Sequence, residues 1–273
     1  MKTTLKYLAI IFALALVTMP SYGWSRRVHS AIAYIAEQHL TPKAKKTVSE
    51  ILEGKSLVYY GSWLDDYRKQ MSVDYLDSEG NFVKKGEIPH IVRVGADGKV
   101  YTHKYKEGVS IIDKSIENLK DYKALDDSTR LGSMQCIIHL VGDIHCPAHI
   151  RYADADMESV DKKYDKTKVK FGKKSVRMHD VWDAKVVDQT TAGGVYDLAY
   201  LADRATKKEI REIQKGTALD WAQETADISK DLFYLNEGEK ITKAYFLENR
   251  ELAFELIQKA GLRMAKILND LVD

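Results

Sequence analysis

The sequence predicts an all-α protein, a single domain of about ten helices with one small β-hairpin. Apolar residues recur at helical spacing through most of the chain, and proline and glycine punctuate these runs. Only one stretch shows the alternation of apolar and polar residues that is typical of strands. The 273 residues contain no internal repeat and no linker-like segment, and their number suits one large domain.

Residues 1–23 predict a secretory signal peptide. Two lysines precede an apolar run over 8–17, and small residues follow up to Gly23. The run is shorter than the roughly 20 apolar residues that a membrane helix needs, and no later segment approaches that length. We therefore expect cleavage between Gly23 and Trp24, a secreted or periplasmic protein without a membrane span, and a mature domain over 24–273.

Ten helical segments are predicted after the leader. Two of them are predicted only by their starts, near Val28 and Ser62. A third runs from Thr41-Pro42 to Gly54, and a fourth runs to Pro147 from a cap at Asp127 or Ser128. The other six cover 109–120, 179–189, 196–203, 207–214, 218–235 and 242–271. Residues 88–103 alternate around Asp97-Gly98, which predicts the hairpin. The polar, charged stretch 151–174 predicts a long surface loop.

The charge balance excludes a protein that coats nucleic acid through its overall charge. Lysine and arginine total 42 against 40 acidic residues, and loss of the two leader lysines brings the formal net charge from +2 to zero. Any attraction for phosphate must therefore be local.

Cys136 and Cys146 are the only cysteines. On one continuous helix they would lie about 15 Å apart, beyond the roughly 7 Å limit for a disulfide, so we expect both to be free and buried. A break at Pro147 that folds Cys146 back is the alternative.

Two histidine–aspartate pairs carry the strongest chemical signal. His139 and Asp143 are four residues apart on a predicted helix, and His179 and Asp183 repeat that spacing. One such pair is commonly a simple hydrogen bond. Two pairs together with His149, in otherwise apolar surroundings, favour a metal, because unpaired buried polar groups are costly. Imidazole and carboxylate donors favour zinc over calcium or magnesium.

His149 and the new N-terminus extend this set. His149 lies about 15 Å along the helix from His139, so it cannot share that residue's ion, but the break at Pro147 can bring it to the second pair. After cleavage, the amine and carbonyl of Trp24 can chelate a metal, and His29 can provide a further ligand to the same ion. A surface histidine, a buried tryptophan and a core histidine are the simpler interpretations of these residues.

The ordered motifs resemble a known family. They are W-x4-H at Trp24, S-W-L-D-D-Y-R, P-H, H-L-V-G-D-I-H-C-P-A-H and M-H-D-V-W-D. In order and spacing they are similar to the zinc nucleases of fungi and plants and their bacterial relatives, the S1/P1 family of the phospholipase C/nuclease superfamily. The resemblance implies hydrolysis of single-stranded DNA or RNA to 5′-nucleotides by three zinc ions. It leaves 3′-nucleotidase activity open, and no obligate protein partner is inferred.

The resemblance also implies residue roles. One zinc would be held by Asp65, His90, His139 and Asp143; a second by Trp24, His29 and Asp143; and a third by His149, His179 and Asp183. Asp65 would orient the attacking water or accept its proton, and Arg68 would clamp the phosphate, although a solvated arginine is an equal alternative. His39, His103 and His145 receive no metal role, and His145 is expected beside the cluster or on the surface.

The sequence departs from the family pattern where the base is recognised. Members carry an aromatic residue directly after the hairpin histidine and an aspartate two positions later, whereas this chain has Ile91 and Arg93. The usual Asn-Leu before the later histidine is replaced by Arg177 and Met178. Base preference is therefore not transferred, and Arg93 and Arg177 are hypothesised to bind the nucleic-acid backbone.

Two other functions remain open from the sequence alone. Secreted phospholipases C share the trinuclear fold, but their last helical pair is typically histidine with glutamate, unlike His179 and Asp183. A non-catalytic zinc-binding protein of the cell envelope is the other alternative. Asp65 and Arg68 argue against it, because metal storage needs no phosphate clamp.

Overall fold

A computed structural model describes residues 24–67, 73–76, 82–103, 106–152, 167–230, 232 and 237–272. The predicted leader and Arg68 lie outside the described residues. Within them, no helix combines the length and apolar character needed to cross a membrane.

The prediction of a mainly helical protein is confirmed. The helices of the described chain are α1 Arg26–Gln38, α2 Pro42–Ile51, α3 Leu57–Tyr60, α4 Trp63–Tyr67, α5 Gly108–Leu119, α6 Asp127–Asp143, α7, α8 Val195–Ala202, α9 Lys207–Ile213, α10 Ala218–Ser229 and α11 Lys243–Asp270. Helix α7 consists of Met178–Asp180, a π-helical segment Val181–Lys185 and Val186–Asp188.

Helix α6 begins and ends earlier than predicted. Its N-cap is Asp126, whose side chain accepts a hydrogen bond from the backbone N–H of Thr129. The helix ends at Asp143 instead of running to Pro147, and a 3₁₀ turn, Pro147–His149, follows. This early end bends the chain and brings His149 back towards the end of α6.

The predicted hairpin is present as β3 Val92–Val94 and β4 Val100–Tyr101. Strand β5, Ile150–Tyr152, pairs with β3 in parallel, so the hairpin becomes a three-stranded sheet. This pairing places the segment after the 3₁₀ turn beside the segment after His90.

The described residues contain two further small sheets. Strands β1 Val73–Leu76 and β2 Phe82–Gly86 form one, and β6 Lys168–Phe171, β7 Lys174–Arg177 and β8 Lys240–Ile241 form the other. The expectation of a loop over 151–174 was therefore wrong at both ends. Strand β5 pairs with β3, a distant partner that leaves no local signal, whereas β6 pairs both with β7 across the turn at Gly172 and with the distant β8. The remainder, 153–166, lies outside the described residues.

Helices α1, α6 and α11 meet in the core, and α1 and α11 approach closely at Gly261. A Cβ placed on Gly261 would lie 2.6 Å from Cβ and Cγ2 of Ile35 and 3.0 Å from the carbonyl oxygen of Ile32. Nothing larger than hydrogen fits there without displacing α1. Because α1 carries His29, this contact helps to fix the position of the site.

We predict that Gly261→Ala destabilises the protein. Alanine would favour an unconstrained helix by about 1 kcal/mol, but here overpacking against Ile35 should cost about 1–3 kcal/mol. Urea denaturation followed by circular dichroism measures the change. The matched control is Gly108→Ala in α5, where the nearest atom to a new Cβ is 3.6 Å away. If the Gly261→Ala protein were as stable as the Gly108→Ala protein, the close approach of α1 and α11 at Gly261 would be contradicted.

Candidate metal centre

The carboxylate of Asp143, at the end of α6, lies among three imidazoles. Its Oδ1 is 3.4 Å from Nε2 of His29 and 3.6 Å from Nε2 of His149, and its Oδ2 is 3.3 Å from Nε2 of His139. These four side chains are almost completely buried. The separations exceed an ordinary hydrogen bond and match the roughly 3.3 Å between neighbouring donors around a tetrahedral zinc ion. The arrangement fits cations placed between the donors.

Asp65 adds a second carboxylate to this end of the site. It lies on α4, and its Oδ1 is 3.6 Å from Nε2 of His139. Donor atoms of His29, Asp65 and His139 all lie within 4.8 Å of one another. The rings of His29 and His139 stack with their centroids 3.9 Å apart. Gly142 makes room for this stack, because a Cβ there would be 2.8 Å from Nδ1 of His29.

Helix α7 supplies a second group of donors. Oδ1 of Asp183 is 3.7 Å from Nε2 of His149, and Oδ2 of Asp183 is 3.8 Å from Nε2 of His179. Asp183 lies in the π-helical segment of α7, an irregularity that is frequent at functional sites. Since His149 also neighbours Asp143, the two groups are continuous.

Backbone carbonyl groups orient three of these imidazoles. Nδ1 of His139 donates a hydrogen bond to the carbonyl of Gly61, and Nδ1 of His179 donates to that of Ala148, each at 3.0 Å. Nδ1 of His149 donates to the carbonyl of His90, also at 3.0 Å. A carbonyl can only accept, so in each neutral ring Nε2 presents its lone pair to the cluster. This orientation is usual for metal-binding histidines.

Buried nitrogens without a hydrogen bond strengthen the case for a metal. Within the described part of the chain, both ring nitrogens of His29 and Nε2 of His149 are buried and receive no hydrogen bond. Leaving such groups unsatisfied costs about 1–3 kcal/mol each. Coordination of a metal ion would satisfy the nitrogens that face the cluster.

The electrostatics of the site favour a cation. Burial, reinforced by neighbouring imidazoles, holds the pKa values of His29 and His149 well below the usual value, so both rings are neutral. Burial also opposes protonation of His139, but the carboxylates of Asp143 and Asp65 outweigh it and raise the pKa of His139 to about 9. The neutral imidazoles of His29 and His149, and that of His139 once a bound cation displaces its proton, form with the buried carboxylates a donor set that suits zinc.

The first described residues of the chain lie against the same site. Trp24 is fully buried, and the backbone N–H of Ser25 donates a 2.8 Å hydrogen bond to the carbonyl of Asp183. His90 is partly buried, and its ring centroid is 5.2 Å from that of His149. In the described chain it belongs to neither compact donor group. Arg68, the expected phosphate clamp, lies outside the described residues.

His145 is buried and makes its hydrogen bonds away from the cluster. Its Nδ1 donates to the carbonyl of Val141 at 2.7 Å, and its Nε2 accepts a 2.9 Å hydrogen bond from Arg263 on α11. Burial and the Arg263 charge lower the pKa of His145 to about 3. Of the two expected positions, beside the cluster or on the surface, the surface one was wrong because His145 is buried. Its partner Arg263 is 118 residues away in sequence and gave no local signal.

Sequence reasoning missed one residue of the centre. Cys136 and Cys146 are free and buried, as predicted. The sulfur of Cys146, however, lies within 4.8 Å of donor atoms of His149 and Asp183. Its position three residues before His149 was a signal, but the bend after α6 was needed to interpret it.

The S1/P1 nuclease family model matches residues 24–273. The chain belongs to the S1/P1 nuclease family. It is 23% identical to Nuclease S1 of Aspergillus oryzae over 293 residues, covering 96% of this chain and 95% of that protein. It is 24% identical to Endonuclease 2 of Arabidopsis thaliana over 292 residues, covering 91% of this chain and 90% of that protein. It is 23% identical to Nuclease P1 of Penicillium citrinum over 135 residues, which cover 46% of this chain and 47% of that protein.

Family membership establishes a single-strand-specific nuclease, a metal-dependent hydrolase. Among the alternatives left open by the sequence, it favours the nuclease over phospholipase C and over a non-catalytic zinc-binding protein. Nucleic acid is accordingly the substrate class. S1/P1 nucleases depend on metal ions, and the two compact donor groups of this chain provide candidate sites for them.

We predict that Gly142→Ala weakens metal binding while the fold is retained. The new Cβ would be 2.8 Å from Nδ1 of His29 and 2.9 Å from its Cε1, so the ring must move. Displacement of one donor should lower metal affinity by about 10-fold or more. Competition with a chromogenic chelator measures it, with Gly108→Ala as the control. Equal affinities in the two variants would show that the stack does not constrain His29.

Proposed function

We propose that this S1/P1 nuclease is exported by its leader and uses three zinc ions to hydrolyse single-stranded DNA or RNA to 5′-nucleotides. The observation that carries the proposal is the set of 3.3–3.6 Å separations between the buried Asp143 carboxylate and three imidazole nitrogens. Hydrolysis of 3′-mononucleotides is an open second activity of the same site.

The proposed ligand sets follow the family pattern. The first zinc is assigned to Asp65, His90, His139 and Asp143; the second to the amine and carbonyl of Trp24, His29 and Asp143; and the third to His149, His179 and Asp183. The distances within the two donor groups support most of this assignment. His90 is assigned from the family pattern, supported by its place beside His149.

Two carboxylate oxygens on one residue support a pair of neighbouring ions. Oδ1 of Asp143 lies nearer to His29 and Oδ2 nearer to His139, so each oxygen is available to a different cation. A bridging carboxylate of this kind is suited to closely spaced metal pairs, which stabilise both oxygens of an in-line displacement.

Removal of the leader would complete the second ligand set. Before cleavage, the nitrogen of Trp24 belongs to a peptide bond, and an amide nitrogen is a poor donor to zinc. Cleavage after Gly23 converts it to an amine whose usual pKa is about 7.7–8.0. The Ser25–Asp183 hydrogen bond holds this end of the chain against the site.

Hydrolysis requires activation of a water and stabilisation of negative charge. When bound, the zinc ions would lower the pKa of a water and neutralise charge on the phosphate. The Asp65 side chain is 10% exposed, so its carboxylate lies at the accessible edge of the donor group. There it would orient the attacking water and accept its proton. Arg68, one helical turn later in sequence, would bind the non-bridging phosphate oxygens.

We predict that a free amine at Trp24 is required for activity. Protein starting at Trp24 should release 5′-mononucleotides from a single-stranded oligonucleotide in the presence of zinc. A version with one additional N-terminal methionine should lose about 10-fold or more of its zinc affinity at one site and most of its activity. Chromatographic product analysis and metal titration measure both quantities.

The outcomes separate the elements of the proposal. Equal activity of the two proteins would remove the Trp24 amine from the ligand set. If neither protein cleaves nucleic acid although both bind zinc, the activity proposed for this chain is wrong. Products ending in 3′-phosphate would contradict the proposed direction of cleavage.

We also predict that Arg93 and Arg177 contribute to nucleic-acid binding. Arg93 is on β3, three residues after His90, and Arg177 lies two residues before His179. The Arg177 guanidinium is held by Asp180, with Nε 3.1 Å from Oδ2, which reduces its available charge. Replacing both arginines by alanine should weaken oligonucleotide binding and lower the salt slope by about 1 or more. Binding that is unchanged across a salt series would refute this role.

A further inference from the structure

We propose that Cys146 is a metal ligand of this chain, adding a sulfur donor to the ion held by His149, His179 and Asp183. The inference rests on the proposed metal centre and extends it, because none of the family assignments above uses a cysteine. It identifies the third site as one with four protein donors.

The position of the sulfur carries the inference. Sγ of Cys146, a ring nitrogen of His149 and a carboxylate oxygen of Asp183 all lie within 4.8 Å of one another, and all three residues are fully buried. Zinc binds sulfur at about 2.3 Å and nitrogen or oxygen at about 2.0–2.2 Å, so a sulfur and a nitrogen or oxygen on one tetrahedral ion lie about 3.6 Å apart. Since the three atoms are separated by no more than 4.8 Å, shifts of about 1 Å would bring all of them to one ion.

A second observation independently identifies a ligand at this point. Nε2 of His149 is buried and accepts no hydrogen bond from the described residues, while its Nδ1 is fixed by the carbonyl of His90. The unsatisfied nitrogen lies 3.7 Å from Oδ1 of Asp183, the carboxylate that shares the compact donor group with Cys146. A thiol that only filled apolar volume would not need to meet two metal-binding side chains there.

The local backbone presents the sulfur to the site. Cys146 precedes the 3₁₀ turn Pro147–His149, and the backbone N–H of Ala148 hydrogen-bonds to its sulfur. The backbone N–H of Cys146 is itself bonded to the carbonyl of Asp143 at 2.9 Å. Cys146 is thus tied to Asp143 on one side and to the His149 turn on the other. On coordination the thiol proton would pass to solvent and the thiolate would bind the ion.

A sulfur donor would change the character of the third site. Sites with three protein donors keep an open position, whereas with a fourth protein donor the ion would take part in hydrolysis by expanding to five-coordination, as catalytic zinc can do in the transition state. Thiolate is also softer than carboxylate, which raises the preference for zinc over magnesium, manganese or calcium. This ion should consequently be the most tightly held of the set.

The test uses cobalt as a spectroscopic substitute for zinc. Protein starting at Trp24 is stripped of metal, reloaded with Co²⁺, and compared with Cys146→Ser, Cys146→Ala and Cys136→Ser. The last is a matched control, because Cys136 is also a buried, free cysteine of the same chain segment. It lies ten residues earlier, on α6, and among the described residues it belongs to neither compact donor group.

We expect sulfur-to-cobalt charge-transfer absorption in the near ultraviolet for the wild-type protein and Cys136→Ser. Both Cys146 variants should lack this band and should lose affinity for one metal ion by about 10-fold or more. Circular dichroism in the far ultraviolet verifies that the variants are folded. If a Cys146 variant is unfolded, the presence or absence of the charge-transfer band in the wild-type protein still tests the cysteine ligand.

The experiment distinguishes failure of the cysteine ligand from failure of the proposed metal centre. Full loading of the wild-type protein with cobalt but without the band would overturn the cysteine ligand and leave the proposed function intact. Retention of the band in folded Cys146→Ala would assign the sulfur to another residue and would also overturn it. A wild-type protein that binds no metal would overturn both this inference and the proposed metal centre.

Discussion

The buried carboxylate of Asp143 is the constraint on which the site depends. A carboxylate surrounded by imidazoles and removed from water is stable only if cations or protons compensate its charge. The separations from His29, His139 and His149 are too long for hydrogen bonds and suit intervening ions. Asp143 is also the last residue of α6, so the helix that forms the core ends inside the centre. Core packing and metal geometry are therefore linked.

The fold supplies orientation through backbone groups that are far apart in sequence. The carbonyls of Gly61, His90 and Ala148 belong to the α3–α4 junction, the segment before β3 and the 3₁₀ turn, respectively. Each accepts from the Nδ1 of one imidazole and so directs its Nε2 into the cluster. The parallel pairing of β3 with β5 brings two of these three segments side by side. A small sheet in a helical protein thus aligns the donors.

The sequence predicted the helices and the paired donors because both are local patterns. His139 with Asp143, and His179 with Asp183, follow from four-residue spacing on a helix. What depends on distant partners was not predictable. A break at Pro147 was predicted as the way for His149 to reach the second pair, but the end of α6 at Asp143 and the β3–β5 pairing were not. The hydrogen bond of the buried His145 with Arg263 of α11 was likewise not predicted. Cys146 was expected to be free and buried, and the bend decides which side chains it neighbours.

Under the proposed ligand sets, the metal centre would be complete only after the chain is exported and its leader removed. The amine of Trp24 would be created only by removal of the predicted leader, so the chain inside the producing cell would have an incomplete second site. His29 and Asp143 alone would leave that ion with fewer donors than zinc prefers. The same chain would then be weakly active against nucleic acid before export and fully competent after it. The buried Trp24 side chain and the Ser25–Asp183 hydrogen bond give the new terminus a fixed place as soon as it forms.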